Sequence, residues 1–342
     1  MGLQKIQIGK HILKNNAFLA PMAGITDVSF RSLATRFGAG LVVSEMIASA
    51  SLMAGQRDML RRLKTCSDDP HIVQLSGNQA RWLELGAKMA ADAGADIIDI
   101  NMGCPSKKVT NGTAGAALMK EPKKALKLIE TVVKATDLPV TLKMRLGWDD
   151  ENINAAQIAK SAQEIGVKMI TIHARTRQQF YKGKARWHLV KEITDILDIP
   201  SVINGDIFDV LSAKNALKIS GANAVMVGRA IYGRPWLVGQ IGAALMGEKP
   251  IAAPTGDKLL ELMLEHYEMM LSEYGQAEHG QAEHGQAKHG VRVARKHINW
   301  YLKAANITID DLNYKSLLTS TDPNEVKHKL KQIFASLNER AA

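Results

Sequence analysis

The 342-residue chain is 46% hydrophobic and carries a formal net charge of +10, long enough for one large domain and a small one. No run of eighteen apolar residues occurs, which excludes a membrane helix. Only Cys66 and Cys104 are present, which excludes a disulfide scaffold and a cysteine-rich zinc site and fits a reducing compartment. The first residues, "MGLQKIQIGKHILKNN", lack the unbroken apolar stretch of a secretory leader, so a cytoplasmic protein away from membranes is expected. The basic balance suits a polyanionic partner, nucleic acid above all.

From about Asn16 to Arg229, short apolar runs alternate with amphipathic stretches. The runs are "AFLAPMAG", "GLVVSEM", "HIVQLSG", "DIIDINMG", "PVTLKMRLG", "MITIHART", "PSVINGDI" and "AVMVGRA". Runs this short and this continuously apolar predict parallel strands buried on both faces. Between them, "QARWLELGAKMAADAGA" and "INAAQIAKSAQEIGV" predict helices. The second places Ile153, Ala156, Ile158, Ala162 and Ile165 near one stripe. Many of these helices leave through "GA" or "GV", with glycine as C-cap. Eight strand–helix units match a (β/α)8 TIM barrel, an α/β fold, over residues 1–250. A doubly wound sheet would want G-x-G-x-x-G after its first strand, and "PMAGITD" has none. Past Pro254 only helical patterns follow, so residues 251–342 are expected to form a small C-terminal helical bundle, with "KPIAAPTG" as linker.

Chemistry in such a barrel sits at the C-terminal strand ends. Those ends carry Pro21-Met22-Ala23, Gln74, Asn101 with Cys104, Lys143 with Arg145, His173 with Arg175 and Arg177, Asn204-Gly205-Asp206, and Gly228-Arg229. The last two groups fall where the fold binds phosphate, with glycines for close backbone approach and an arginine for charge. Gln74 and Lys143 suit the pyrimidine edge of a flavin, the lysine stabilising negative charge on the reduced ring. His173 is expected to face a ligand. The histidines of "GQAEHGQAEHGQAKHG" are five apart, about 140° per step on a helix, so His279, His284 and His289 share no face and no metal site is expected. Cys66 reads as a plain loop thiol.

In order, "APMAGITD", "SEM", "VQLSG", "DINMGCPSKKV", "LKMRLGW", "IHARTR", "INGDI" and "VGRA" resemble the tRNA-dihydrouridine synthases. The tail "GVRVARKHINWYL" resembles the bacterial B-type subfamily. The resemblance implies non-covalent FMN, NADPH as reductant, and reduction of a uracil C5=C6 bond in the tRNA D-loop, with position 17 favoured by the B-type likeness. It implies FMN contacts at Pro21, Met22, Ala23, Gln74, Lys143, His173, Asn204, Gly205, Asp206, Gly228 and Arg229, and Cys104 as proton donor. Hydride would add at C6 and leave C5 in need of a proton. A thiol with a pKa near 8.5 stays protonated at neutral pH yet can release its proton. Lys107 and Lys108 are expected to face tRNA phosphate, Asn101 to orient the uracil, and Arg175 and Arg177 to hold the phosphate or ribose of a flipped-out nucleotide. On the tail, Arg292, Arg295 and Lys296 share a face at helical spacing and are expected to contact the tRNA backbone. A monomer is expected. Two other classes stay open: a small-molecule flavin reductase of the dihydroorotate dehydrogenase kind, and a non-catalytic RNA-binding regulator on the same barrel.

Overall fold

Eight parallel staves make up the barrel in the computed structural model, which describes residues 4–66, 69–275 and 284–341. In chain order they are β1 (Ala17–Leu19), β2 (Leu41–Val42 and Ile47–Ala48), β3 (Ile72–Ser76), β4 (Ile97–Met102), β5 (Val140–Arg145), β6 (Met169–His173), β7 (Ser201–Asn204) and β8 (Ala224–Val227). Each falls inside an apolar run except the second piece of β2, which lies just past Met46, and β1, β3, β4, β7 and β8 are buried along their whole length. β8 pairs with β1, and β1 with the first piece of β2. The ring closes at β2, which is broken in two. Its second piece pairs with β3, and between the pieces Val43 bridges to Ile72. There Ser44 N–H donates to the Ile72 carbonyl at 3.0 Å, and Ser44 Oγ accepts from Gln74 N–H at 2.9 Å. A side chain thus replaces one ladder bond at the seam.

The register decides which polar strand-end residues become neighbours. Gln74 lies opposite Asp99, Asn101 opposite Lys143, and His173 opposite both Arg145 and Asn204. The other end of the barrel is filled by a hairpin not foreseen from the sequence, Gln7–Ile8 with His11–Ile12. Its Ile6, Ile8 and Leu13 pack with Ile72, Ile97 and Met169 at the starts of the strands. Burying each such side chain contributes about 1.5–3 kcal/mol as an upper estimate.

Around the staves run α1 (Val28–Arg36), α2 (Ser49–Met53), α3 (Arg57–Arg62), α4 (Ala80–Asp92), α5 (Lys107–Thr110), α6 (Pro122–Ala135), α7 (Ala155–Ile165), α8 (Trp187–Thr194), α9 (Val210–Ser220) and α10 (Leu237–Met246). Asp27 caps α1 by accepting from Phe30 N–H. Gly166, at φ +120°, ends α7 as expected of a C-cap glycine. The buried stripe of α7 is Ala155, Ile158, Ala159 and Ala162. Ile153 is instead 44% exposed, because it precedes the helix and bridges back to Gly147.

The chain divides into two compact units. The barrel unit holds Met1–Ala230 and Leu237–Ile251, and the helical unit holds Ile231–Trp236 and Ala252–Ala342. The helical unit contains α11 (Gly256–Gly275), α12 (His284–Ala304), α13 (Asp311–Thr319) and α14 (Pro323–Ala341). Helix α13, capped by Asp310, is not foreseen from the sequence. The strap Ile231–Trp236 lies against α12: Tyr232 stacks on Trp300 with ring centroids 4.0 Å apart. Gly233, at φ +69°, comes so close that an added Cβ would meet the Trp300 carbonyl oxygen at 2.1 Å. His279 lies outside the described residues, and the His289 ring sits 5.8 Å from that of Tyr274. Among the described residues, no helix is long and apolar enough to cross a membrane.

Candidate active site

Cys104 follows β4 at the C-terminal end of the barrel and is half-buried. Its backbone is anchored on several sides. Cys104 N–H donates to Asn101 Oδ1 at 3.1 Å, and the Cys104 carbonyl accepts from Ala116 N–H at 3.1 Å. Gly115, at φ +59°, lets that returning segment approach, since a Cβ there would stand 2.9 Å from the Cys104 carbonyl oxygen. Asn101 in turn donates Nδ2–H to Gln74 Oε1 at 2.8 Å, and Gln74 donates to Asp99 Oδ2 at 2.6 Å. Thr141 completes this buried chain by donating to Asp99 Oδ1 at 2.6 Å. Burial pushes the Asp99 carboxyl up, against the hydrogen bonds from Gln74 and Thr141 and the charge of Lys143.

Cations gather beside this chain. Lys143 Nζ donates to Asn204 Oδ1 at 3.3 Å, and Asn204 Nδ2–H donates to the Met226 carbonyl at 2.8 Å. Burial, and then Arg145, push the Lys143 ammonium down to about 8, while Asp99 and Cys104 act in the other direction. His173 is held well below its ordinary range by burial and then by Arg145, Lys143, Arg175 and Arg229, so its ring is neutral. Arg175 Nη1 lies 3.4 Å from His173 Nε2. A guanidinium can only donate, so Nε2 accepts and the ring proton sits on Nδ1. Over this cluster stands Tyr181, 41% exposed, with Arg229 4.8 Å and Arg145 5.6 Å from its ring centre.

The end expected from the sequence to bind phosphate is formed by the loops after β1, β7 and β8. Gly205, at φ +117°, is crowded: an added Cβ would stand 3.0 Å from Ala185 Cβ and 3.4 Å from the His173 ring. Trp187 Nε1–H holds its carbonyl at 2.8 Å. Gly228 is open, its added Cβ meeting only Met22 Sδ, at 3.9 Å. The exposed Arg229 begins a short 3-10 turn directly after β8. Pro21 and Met22 are half-buried and Ala23 is exposed, in a turn closed by Thr26 Oγ1, which accepts from Met22 N–H at 2.8 Å.

Several residues take other places than their sequence positions suggest. Arg175 is 2% exposed and bound to the Lys182 and Gly183 carbonyls and to both oxygens of Asp206, so it braces a loop. Asp206 is engaged by Arg175 and by Ala185 N–H, and its own negative charge suits bracing better than phosphate contact. Asn101 is 7% exposed and its amide is committed to Gln74 and the cysteine loop rather than turned outward to a uracil. Gln74 is fully buried in the same chain, so its amide is committed to Asp99 and Asn101 before any flavin edge. Arg177 lies 4.6 Å over the Trp148 ring and reaches Thr110 Oγ1 at 3.4 Å, so it ties α5 to the β5 loop. On the tail, Arg295 donates to the Thr319 and Ser320 carbonyls at 2.7 and 2.9 Å, which removes it from an outward basic face. Lys107, Lys108 and Arg292 are exposed, and Lys296 is half-buried. Tyr181, Trp148 and Asp99 join the site without having been singled out from the sequence. The signal for Tyr181 was the aromatic-in-basic pattern of "RTRQQFYKGKAR".

The dihydrouridine synthase family model matches residues 18–338, spanning both the cysteine loop and the helical unit. The chain belongs to the dihydrouridine synthase family. Similar proteins include a probable tRNA-dihydrouridine synthase of Rhizobium leguminosarum bv. phaseoli, 46% identical over 93% of this chain and 95% of that one. Another is tRNA-dihydrouridine synthase B of Pseudomonas putida, 40% identical over 88% and 86%. In fold, this dihydrouridine synthase resembles the old yellow enzyme homologue from Zymomonas mobilis, with a TM-score of 0.52, 16% identity and coverage of 75% of this chain and 95% of that one. It also resembles the histamine dehydrogenase from Rhizobium sp. 4-9, with a TM-score of 0.53, 15% identity and coverage of 78% and 50%.

Proposed function

We propose that this dihydrouridine synthase acts on tRNA, reducing a D-loop uridine with FMN as its flavin, NADPH as reductant and Cys104 as proton donor. The observation that carries the reading is the half-buried Cys104, set at a strand end beside Lys143 and Arg145. The site's donor set fits a phosphorylated flavin. Lys143, Arg145 and Arg229 lie about a neutral His173, Arg175 is paired with the half-buried Asp206, and the buried Asp99 is shared with Gln74 and Thr141. Such a cluster favours an anion. Gly228 and Arg229 would hold the phosphate and Lys143 the electron-rich edge of the ring.

When bound and reduced, FMN supplies hydride. The protein's share is to hold the uracil and deliver a proton. Cys104 Sγ is the general acid for C5, a role that speeds protonation by about 10²–10⁴. His173, with its proton on Nδ1, is a neutral donor among cations. Lys107 and Lys108, exposed at the start of α5, face solvent from the same loop and suit phosphodiester contact. The helical unit and the match across it favour tRNA over a small-molecule substrate.

Purified protein should be yellow and should restore dihydrouridine to tRNA from a strain lacking it. Colourless protein that takes up no FMN, or tRNA left unmodified, overturns the reading. Cys104→Ala should still bind FMN and oxidise NADPH. Reoxidation of its flavin by tRNA should slow by about 10²–10⁴, some 3–5 kcal/mol of barrier. Cys66→Ala should match wild type. Stopped-flow spectroscopy separates the two half-reactions, and a wild-type rate for Cys104→Ala would move the acid elsewhere.

A further inference from the structure

The peptide unit joining Gly103 to Cys104 is gripped at both of its polar ends by side chains. Its carbonyl, on Gly103, accepts from Arg145 Nε at 2.7 Å, and its N–H, on Cys104, donates to Asn101 Oδ1 at 3.1 Å. Gly103 also lies flat on β5, where an added Cβ would meet the Met144 and Lys143 backbone at 3.5–3.6 Å. Neither gripping side chain is free to drift. Asn101 is held by Gln74, and Gln74 by Asp99. Arg145 is 1% exposed, and its Nη1 donates at 2.9 Å to two more carbonyls, those of Thr176 and Phe180. One guanidinium therefore joins the cysteine loop after β4 to the Tyr181 loop after β6. Only a planar fork of fixed donors can serve three carbonyls lying in different directions, and a lysine ammonium on a flexible stem cannot.

We propose that Arg145 is a positioning residue for the proton donor: with Asn101 it fixes the peptide plane before Cys104 and thereby aims the thiol. It does so through backbone and does not contact the uracil. The proposal rests on the reading of Cys104 as the acid. Releasing the plane frees rotation on both sides of it and swings the sulfur, and a misplacement of about 1 Å at a reacting atom costs roughly 10²-fold in rate.

The test uses the holoenzyme carrying Cys66→Ala, so that Cys104 is the sole thiol. Arg145→Lys is compared with this parent in two ways. Mass spectrometry follows alkylation of Cys104 by iodoacetamide without tRNA, and steady-state kinetics follow dihydrouridine formation. The expected result is faster alkylation, kcat lower by roughly 10²-fold, and KM for tRNA within about twofold of the parent. Alkylation at the parental rate overturns the proposal, whatever the kinetics. A raised KM at unchanged kcat also overturns it, by making Arg145 a substrate contact. Should Arg145→Lys fail to fold, Asn101→Ser releases the other end of the same peptide and is judged by the same alkylation rate. If the parent itself makes no dihydrouridine, the functional reading fails, and the alkylation comparison still decides the clamp.

Discussion

Lys143 is half-buried beside another cation, and its ammonium is held near 8, desolvation being the larger cause. An anion at its side would favour the charged form and raise that value. Two consequences follow for binding of the proposed FMN. Near pH 8, binding should take up a proton, and affinity should fall as pH rises through that value because the free ammonium is being lost. Calorimetric titration in buffers of different protonation enthalpy measures the uptake directly. Lys143→Met should abolish the pH step and weaken binding at neutral pH; an affinity flat across the step would remove Lys143 from the flavin site. The kinds of residue in this site were legible in the sequence, because strand ends of a barrel are predictable places. Their mutual occupation was not. Arg175 is quenched by carbonyls seven and eight residues onward, on a loop whose return only folding reveals. Gln74, Asp99 and Asn101 meet through strand register, which leaves no mark on any single strand.

Among the elements, β2 and α12 show the same limit. The run "GLVVSEM" reads as one strand, yet the strand ends at Val42 and Ser44 closes the seam with its hydroxyl. Periodicity reports burial, and all of Val43, Ser44 and Glu45 are buried, so the break was invisible. On α12, helical spacing places Arg292 and Arg295 together, but one faces solvent and the other ties down the end of α13. Their charge reversals should therefore differ in kind. Arg292→Glu should leave thermal stability unchanged and flatten the log–log salt dependence of tRNA binding by about 0.9 for each phosphate that the arginine had neutralised. Arg295→Glu should lower the melting temperature of the helical unit first, since two carbonyls lose a charged donor worth about 1.5–3 kcal/mol each. Filter binding across salt concentrations and thermal melts check the pair. Equal melting temperatures for the two variants would show the capping bonds to be inconsequential.

At the scale of the whole molecule, acid should weaken the helical unit through a buried histidine pair. In the helical unit His266 and His297 are 1% and 2% exposed, their rings 4.9 Å apart, and His266 Nδ1 meets Tyr301 Oη at 3.0 Å. Burial, and then His266 and Lys296, hold His297 well below its ordinary value. A base depressed in the folded state gives stability that is complete above its unfolded pKa of about 6.5 and is lost as pH falls toward the folded value. Thermal melts followed by tryptophan fluorescence should therefore shift downward below about pH 6.5, and His297→Phe should reduce the shift. A transition independent of pH down to about pH 5 would exclude the histidine pair as its cause.

The strap Ile231–Trp236 also bears on how such a protein can be taken apart or recombined. The polypeptide passes from barrel unit to helical unit at residue 230, returns at 237 and leaves again after 251. A truncation at 251 would thus keep Tyr232 and delete the indole on which it stacks, leaving an aromatic hexapeptide without its cover. A chimera between two relatives that exchanged only the segment after 251 would pair one parent's strap with the other parent's helix, across an approach too close for any side chain at Gly233. The heritable module is two segments, and a functional exchange must carry both.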